Sequence, residues 1–408
     1  MVAAVTRVFG VHNLAMAQDV VQDAFCRAVE TWAWRGVPEN PSAWLMTAAK
    51  NRALDLLRRE RTARTYAPEL GRLLESEWTL VPVVEELFAP DAIKDDLLRM
   101  MFSCCHPRLS EEAQVALVLH ILCGFGTGEI AGAFVSGRAS VEKRITRAKK
   151  VLAGSKTLFD LETPADFSRR LGAVHRALYL LFNEGYHGAS TETSVRVELC
   201  REAMRLVALL LEHPKGKTPT TFALAALFCL NAARLPSRVD GAGDLRSLFD
   251  QDRSLWDRPL LSEGLILLEL SATGSKLTSY HLEAAIAAVH ARAAKVGDTD
   301  WEAIASFYDS MMVLHPSPVV ALNRAIAFGQ HQGPERGLSE IQSIEDSDRL
   351  ASYPFFFAAQ GEFELRLGRR SLAKDHFLEA LAQARNPMER KFLARRVEAC
   401  QEQLPACP

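Results

Sequence analysis

Arg138, Ser140, Lys143, Arg144 and Arg147 fall in one short stretch in which Glu142 is the only carboxylate. Guanidinium and ammonium groups at helical spacing can engage both phosphates and guanine edges in a major groove. Val141, Ile145, Ala148 and Leu152 recur at three- and four-residue spacing. They predict an inward stripe that turns Ser140, Lys143, Arg144 and Arg147 outward. Just upstream, Thr127 to Phe134 reads as a small helix followed by a short turn, which together give the layout of a helix-turn-helix. Lys149 and Lys150 read as phosphate contacts. A charged face is by default only a solvated face, so the chemistry depends on what else the chain carries.

A second cationic stretch runs from Lys50 to Arg64, where Arg52, Arg58, Arg59 and Arg61 are set against Asp55 and Glu60. Two separate basic helices suggest two contacts with nucleic acid, although the whole chain has a formal net charge of −2. Other chemistry is poorly represented. There is no phosphate loop or nucleophile motif, so an enzyme is not expected. Cys104, Cys105 and His106 with His120 and Cys123 could supply metal ligands, but the spacing is loose and the second pair sits in an apolar stretch that favours buried thiols. Asp250, Asp252 and Asp257 lie among Arg253 and Arg258 and read as salt-bridge partners rather than metal ligands. No cofactor or metal is expected.

The elements that must position these residues are helical, because two-residue alternation is almost absent. The fold class is all-α. With 408 residues, nearly half of them apolar, the chain should hold two or three domains. We divide it into 1–62, an acidic linker over 63–92, a second unit over 93–156 and a long remainder over 157–408. In the first unit the turn from Arg35 to Asn40 precedes a helix opened by Pro41. In the remainder, Phe357, Gly361, Gly368, Ala373, Phe377 and Ala380 match the tetratricopeptide pattern. Tyr308, Ile341 and Phe377 are spaced close to its ~34-residue period; an irregular helical bundle with incidental spacing is the alternative. No apolar run reaches the ~18 residues of a membrane span. The start lacks a signal peptide's basic and apolar regions, which predicts a cytoplasmic protein.

The blocks Asp19 to Ala28 and Asn40 to Arg59, joined through an acidic linker to a helix-turn-helix, resemble the extracytoplasmic-function class of bacterial sigma-70 factors. Val21 to Phe25 is similar to their region 2.2, Trp44 to Arg59 to regions 2.3 and 2.4, and Leu109 to Leu152 to region 4. The tail resembles that of the subgroup with a tetratricopeptide-like extension, through Asp95 to Arg99, Cys104 to Pro107, Tyr179 to Tyr186 and Asp250 to Arg253. One departure is the short start, since the family has a fuller first helix before Val5.

The resemblance implies a factor that carries core RNA polymerase to promoter DNA. Asp19, Gln22, Asp23, Phe25 and Arg27 would dock on the polymerase's beta-prime clamp helices, with further contact to the beta flap. Arg35, Gly36, Asn40, Lys50, Asn51, Arg58 and Arg59 would hold the minus-ten element, including a flipped base whose unstacking costs a few kcal/mol. Arg138, Ser140, Lys143, Arg144 and Arg147 would read the minus-thirty-five element. Trp44 reads as core rather than a stacking platform. The extension would act as a fused regulator with a protein or peptide partner. Several of these features have plain alternatives: an amphipathic core helix at Asp19 to Arg27, an ordinary helix connection at Arg35 to Pro41, and a solubilising tether for the linker. The rival function is a one-component helix-turn-helix regulator with a sensing repeat domain, which has no need of Asp19 to Arg59.

Overall fold

The structure, a computed structural model, describes residues 1–9, 14–61, 90–133, 137–153, 164–187, 195–241, 244–384 and 387–401. Among them the secondary structure is helical, with an isolated bridge between Val239 and Leu245 and no strand. Nearly all of the acidic linker lies outside the described residues. No described helix is long and apolar enough to cross a membrane. The chain forms two compact units, one of Met1–Ala131 with Ser136–Leu178 and one of Gly132–Val135 with Tyr179–Pro408. The expected segments 1–62 and 93–156 thus share one unit. The division falls inside a helix rather than at residue 156.

In the first unit, α1 (Val2–Phe9), α2 (Leu14–Arg35) and α3 (Pro41–Arg61) enclose Val5, Ala17, Val20, Val21, Ala24, Ala48, Ala49, Ala53 and Leu54. The prevalence of alanine lets these helices approach closely. Trp44 packs on this core and meets Trp32 edge to face, with centroids 5.5 Å apart. Helix α2 stops at Gly36, whose φ of +77° is a left-handed conformation that glycine adopts without a Cβ penalty. Its N–H donates to Trp32 O at 3.0 Å.

Helix α4 (Pro90–Cys104) is followed by α5 (Glu111–Leu117), which runs on through a π turn over Val118–Leu122. Ser110 caps α5 by accepting from Ala113 N. Two further helices, α6 (Thr127–Ala133) and α7 (Arg138–Ala153), complete the set that positions the basic residues. Cys104 and Cys105 are fully buried, and burial pushes both thiols up, that of Cys105 to about 12. They remain protonated packing groups.

Helix α8 (Pro164–His187) crosses into the second unit. There α9 (Val197–Glu212), α12 (Arg258–Ser271) and α13 (Ser279–Arg292) pack on α10 (Pro219–Ala232), which is apolar on nearly every side and is followed by the short α11 (Leu235–Arg238). The central role of α10 explains why that run is so apolar without being a membrane span. Next come α14 (Trp301–Leu314), α15 (Pro318–Gln332), α16 (Pro334–Gln342), α17 (Pro354–Arg366), α18 (Arg370–Ala382) and α19 (Pro387–Ala399), each packed on its predecessor. Met311, Ile341 and Phe377 are buried in three successive cores along this series, and Tyr308 packs on the first of them.

The expected salt bridges of Asp250, Asp252 and Asp257 are replaced by local hydrogen bonds. Asp252 accepts from Ser254 N at 2.9 Å, Asp257 caps α12 by accepting from Leu260 N at 3.0 Å, and Asp250 accepts from Ser247 Oγ. Asp252 and Asp257, just ahead of helical turns, satisfy otherwise orphaned N–H groups, while the Arg253 guanidinium is committed to the carbonyls of His290 and Ala293.

Tyr179 donates to Glu283 Oε2 at 2.9 Å, and burial pushes the Glu283 carboxyl up to about 7 from its ordinary 4.5. The folded chain therefore keeps a proton that the unfolded chain has already lost. The stability linked to this group is complete below pH 4.5 and drains away as pH rises toward 7. We expect Glu283→Gln to flatten that decline by on the order of 2 kcal/mol. Urea unfolding at pH 5 and pH 7.5 checks it, and an unchanged decline in the variant would place the linked proton elsewhere.

Candidate nucleic-acid interface

Helix α7 divides as its sequence predicts. Val141, Ile145, Ala148 and Leu152 are buried, at 4% exposure or less. Arg138, Ser140, Lys143, Arg147 and Lys150 are exposed, and Arg144 is half-exposed. Arg138 pairs with Glu142 one turn on at 2.9 Å, and Glu142 also accepts from Thr127 Oγ1 at 3.2 Å. The lone acid in the basic stretch therefore ties the start of α6 to α7. The Glu142 carboxyl is held below its usual range by the hydrogen bond from Arg138 and then that from Thr127. Arg144 leans toward Glu112 at the start of α5, whose carboxyl is lowered mainly by hydrogen bonds from its own backbone and Ser110, with a smaller contribution from Arg144.

Lys149 departs from the expected phosphate role. Its ammonium donates to Gln18 Oε1 at 2.6 Å and lies 3.2 Å from His120 Nε2. His120 Nδ1 is 2.9 Å from Phe125 O, a carbonyl that can only accept. The imidazole thus carries its proton on Nδ1 and accepts from Lys149 at Nε2. Burial first, and Lys149 as well, lower the His120 pKa against the opposing backbone bond, so the ring is neutral near pH 7. Burial also lowers the Lys149 pKa, while Asp19 raises it. The ammonium thereby fastens α7 to the beginning of α2 within the first unit, and Lys150 is left as the exposed member of the pair.

On α2, Asp19, Gln22, Phe25 and Arg27 are exposed. Phe25 and Val29, one turn apart, are 46% and 73% exposed, and Trp34 is 91% exposed. Single exposed apolar side chains are ordinary, but a succession along one helix is the kind of surface a partner helix covers. Asp23 is engaged inside the domain, accepting from Arg52 Nε of α3 at 2.8 Å. This pair joins the two helices and was not legible in the sequence, where the residues stand 29 positions apart.

Arg35, Gly36 and Asn40 share the exposed α2–α3 connection, together with Val37 at 67% exposure. Asn40 Oδ1 accepts from Ala43 N at 3.0 Å, which makes Asn40 the N-cap of α3, with Pro41 at the first helical position. Lys50 is half-buried and Asn51 exposed. Arg58 and Arg59 belong to the last turns of α3, and their side chains lie outside the described residues. The structure thus gathers Arg35, Gly36 and Asn40 at one connection and Ser140, Lys143 and Arg147 on one helix face.

If Asn40 serves the helix, Asn40→Ala should cost α3 about 1 kcal/mol, whereas Asn40→Asp, an equally good cap, should cost almost nothing. Amide hydrogen exchange over α3 reads the difference; equal loss of protection in both variants would remove the capping role.

Residues 1–63 match the family described as Sigma-70 region 2. Residues 170–272 match a family of unknown function, DUF6596. The chain is also 36% identical over 383 residues to an uncharacterized protein of Rhizobium meliloti (strain 1021), in an alignment spanning 93% of this chain and 89% of the relative. No solved structure matches.

Proposed function

From the match of residues 1–63 to Sigma-70 region 2 we propose that this chain is a sigma-70 family factor, a promoter-specific initiation factor of the extracytoplasmic-function class. In this reading α2 docks on the beta-prime clamp helices of core RNA polymerase and a further surface meets the beta flap. The α2–α3 connection and the exposed face of α3 engage the minus-ten element. The α6–α7 pair acts as a helix-turn-helix on the minus-thirty-five element. The helical second unit is a tetratricopeptide-like regulator fused to the factor.

The observation that carries the reading is the pair Phe25 and Val29, left in solvent on α2 inside the stretch that matches region 2. A domain with a small alanine core gains nothing for its own stability from those side chains. Their burial against a partner helix returns roughly 1–2 kcal/mol each at 25 cal/mol per Å² of apolar area. Asp19, Gln22 and Arg27 form a polar surround for that apolar centre. For DNA, Ser140, Lys143 and Arg147 supply the exposed donors. Asp23 has a scaffolding part, holding α2 to α3 through Arg52, while Phe25 carries more of the polymerase contact.

In-vitro transcription with purified core polymerase, the full chain and a promoter library tests the class of function. Discrete transcripts that depend on the added protein are expected. DNA binding without transcripts would favour a one-component regulator. Independently, Phe25→Ala should weaken binding to core polymerase about tenfold, a loss near 1.4 kcal/mol, with no change in thermal stability. Unchanged affinity would withdraw the docking role from this face of α2.

A further inference from the structure

The second unit contains a cavity of about 660 Å³ lined by residues of α15, α17 and α19 and of the segment around Phe249. Its volume falls within the ~300–1,000 Å³ of sites that hold a single small molecule. Phe249, Tyr353, Phe355 and Ile326 supply an apolar wall. Five arginines line it against two carboxylates, Asp250 and Glu362. Both acids are committed, Glu362 to Arg396 and Asp250 to Ser247 Oγ.

Two of the arginines have no carboxylate partner among the described residues. Arg234 donates to Gln251 Oε1 at 3.3 Å and packs on the rings of Tyr186 and Trp256. Arg366 donates to Gln330 Oε1 at 3.0 Å. A glutamine oxygen orients a guanidinium without neutralising it, and with five arginines against two carboxylates the cavity lining is net positive. Burial, with Arg234 and Arg253 adding to it, pushes the pKa of His290 down to about 3.

We propose that this cavity binds a small organic anion, with an acidic headgroup held by Arg234 and Arg366 and an aromatic or aliphatic body against Phe249, Tyr353 and Phe355. Arginine suits the task because its planar fork matches a carboxylate or sulfonate with paired hydrogen bonds. Apolar walls around a few convergent polar groups fix the ligand's orientation. The site goes beyond the transcription reading and does not depend on it, since binding is measured without polymerase.

The probe is 1-anilinonaphthalene-8-sulfonate, an anion with an aromatic body, titrated into the full chain alongside its neutral relative N-phenyl-1-naphthylamine. Saturable one-to-one binding of the anion is expected, weakening as salt rises. Arg366→Gln, at an exposed position, should raise the Kd for the anion about tenfold and leave that of the neutral probe unchanged. Arg234→Gln should do the same where circular dichroism shows it folded. Ala358→Trp, which fills the cavity, should abolish both. Indole-3-carboxylate should displace the anionic probe and hexaglutamate should not. An anion affinity unchanged in Arg366→Gln, an equal loss for both probes, binding that survives Ala358→Trp, or displacement by the peptide alone would each overturn the proposal.

Discussion

Close approach of helices on small residues is the constraint that shapes this molecule. In the second unit, Gly329 of α15 and Gly337 of α16 face the ring of Phe363, and no β-carbon fits at either position without displacing that ring. The glycines bring two helices together and the phenylalanine from the next helix fills the gap, so three elements are locked by one contact. In the first unit, alanines at 17, 24, 48, 49 and 53 perform the same service for α1, α2 and α3. Close packing forbids either voids or overfilling in such seams. Phe25, Val29 and Trp34 of α2 remain outside this core. The same economy that closes the domain leaves an adhesive surface on it.

The sequence made the helical class, the stripe of α7 and the opening of α3 at Pro41 legible because each depends on residues within a few positions of one another. Val141, Ile145, Ala148 and Leu152 announce their burial by spacing alone. The identities of loop residues were less informative: Gly36 and Asn40 suit a base-capturing loop and also suit the end of one helix and the start of the next. The structure shows the second use directly, with the Gly36 N–H bonded to Trp32 O and Asn40 bonded to Ala43. Contacts between distant parts of the chain could not be read at all. Asp23 with Arg52, and Lys149 with Gln18 and His120, join residues that no local pattern relates.

These distant contacts change the meaning of charge in the candidate interface. A lysine counted as part of a basic face is worth little to DNA when its ammonium is desolvated and shared between an amide oxygen and a neutral imidazole. Lys149 is such a lysine, and it holds the helix that carries Lys143 and Arg147 against the helix that carries Phe25. The exposed faces of α2 and α7 in the first unit are thus connected through one hydrogen-bonded ammonium. Asp19, on the same helix as Gln18, adds a carboxylate whose charge favours that ammonium.

Two motifs that the sequence could quote but not explain, Tyr179 to Tyr186 and Asp250 to Arg253, meet in the second unit. Arg238 lies 4.1 Å over the Tyr186 ring and donates to the Tyr186 carbonyl, while Gln251 receives Arg234. Arg253 lies 5.0 Å over Trp256 and donates to the carbonyls of His290 and Ala293. Arg234 and Arg253 are thereby held by ring faces and neutral oxygens. Aromatic and carbonyl partners stabilise a guanidinium without cancelling its charge. An apolar core built this way retains a positive potential that ordinary ion pairing would have extinguished. The cost of gathering like charges is tolerable because each guanidinium keeps several hydrogen bonds or a ring face as it leaves water. The motif residues therefore act first as scaffold, and the field they leave at the adjoining cavity is a consequence of how that scaffold is satisfied.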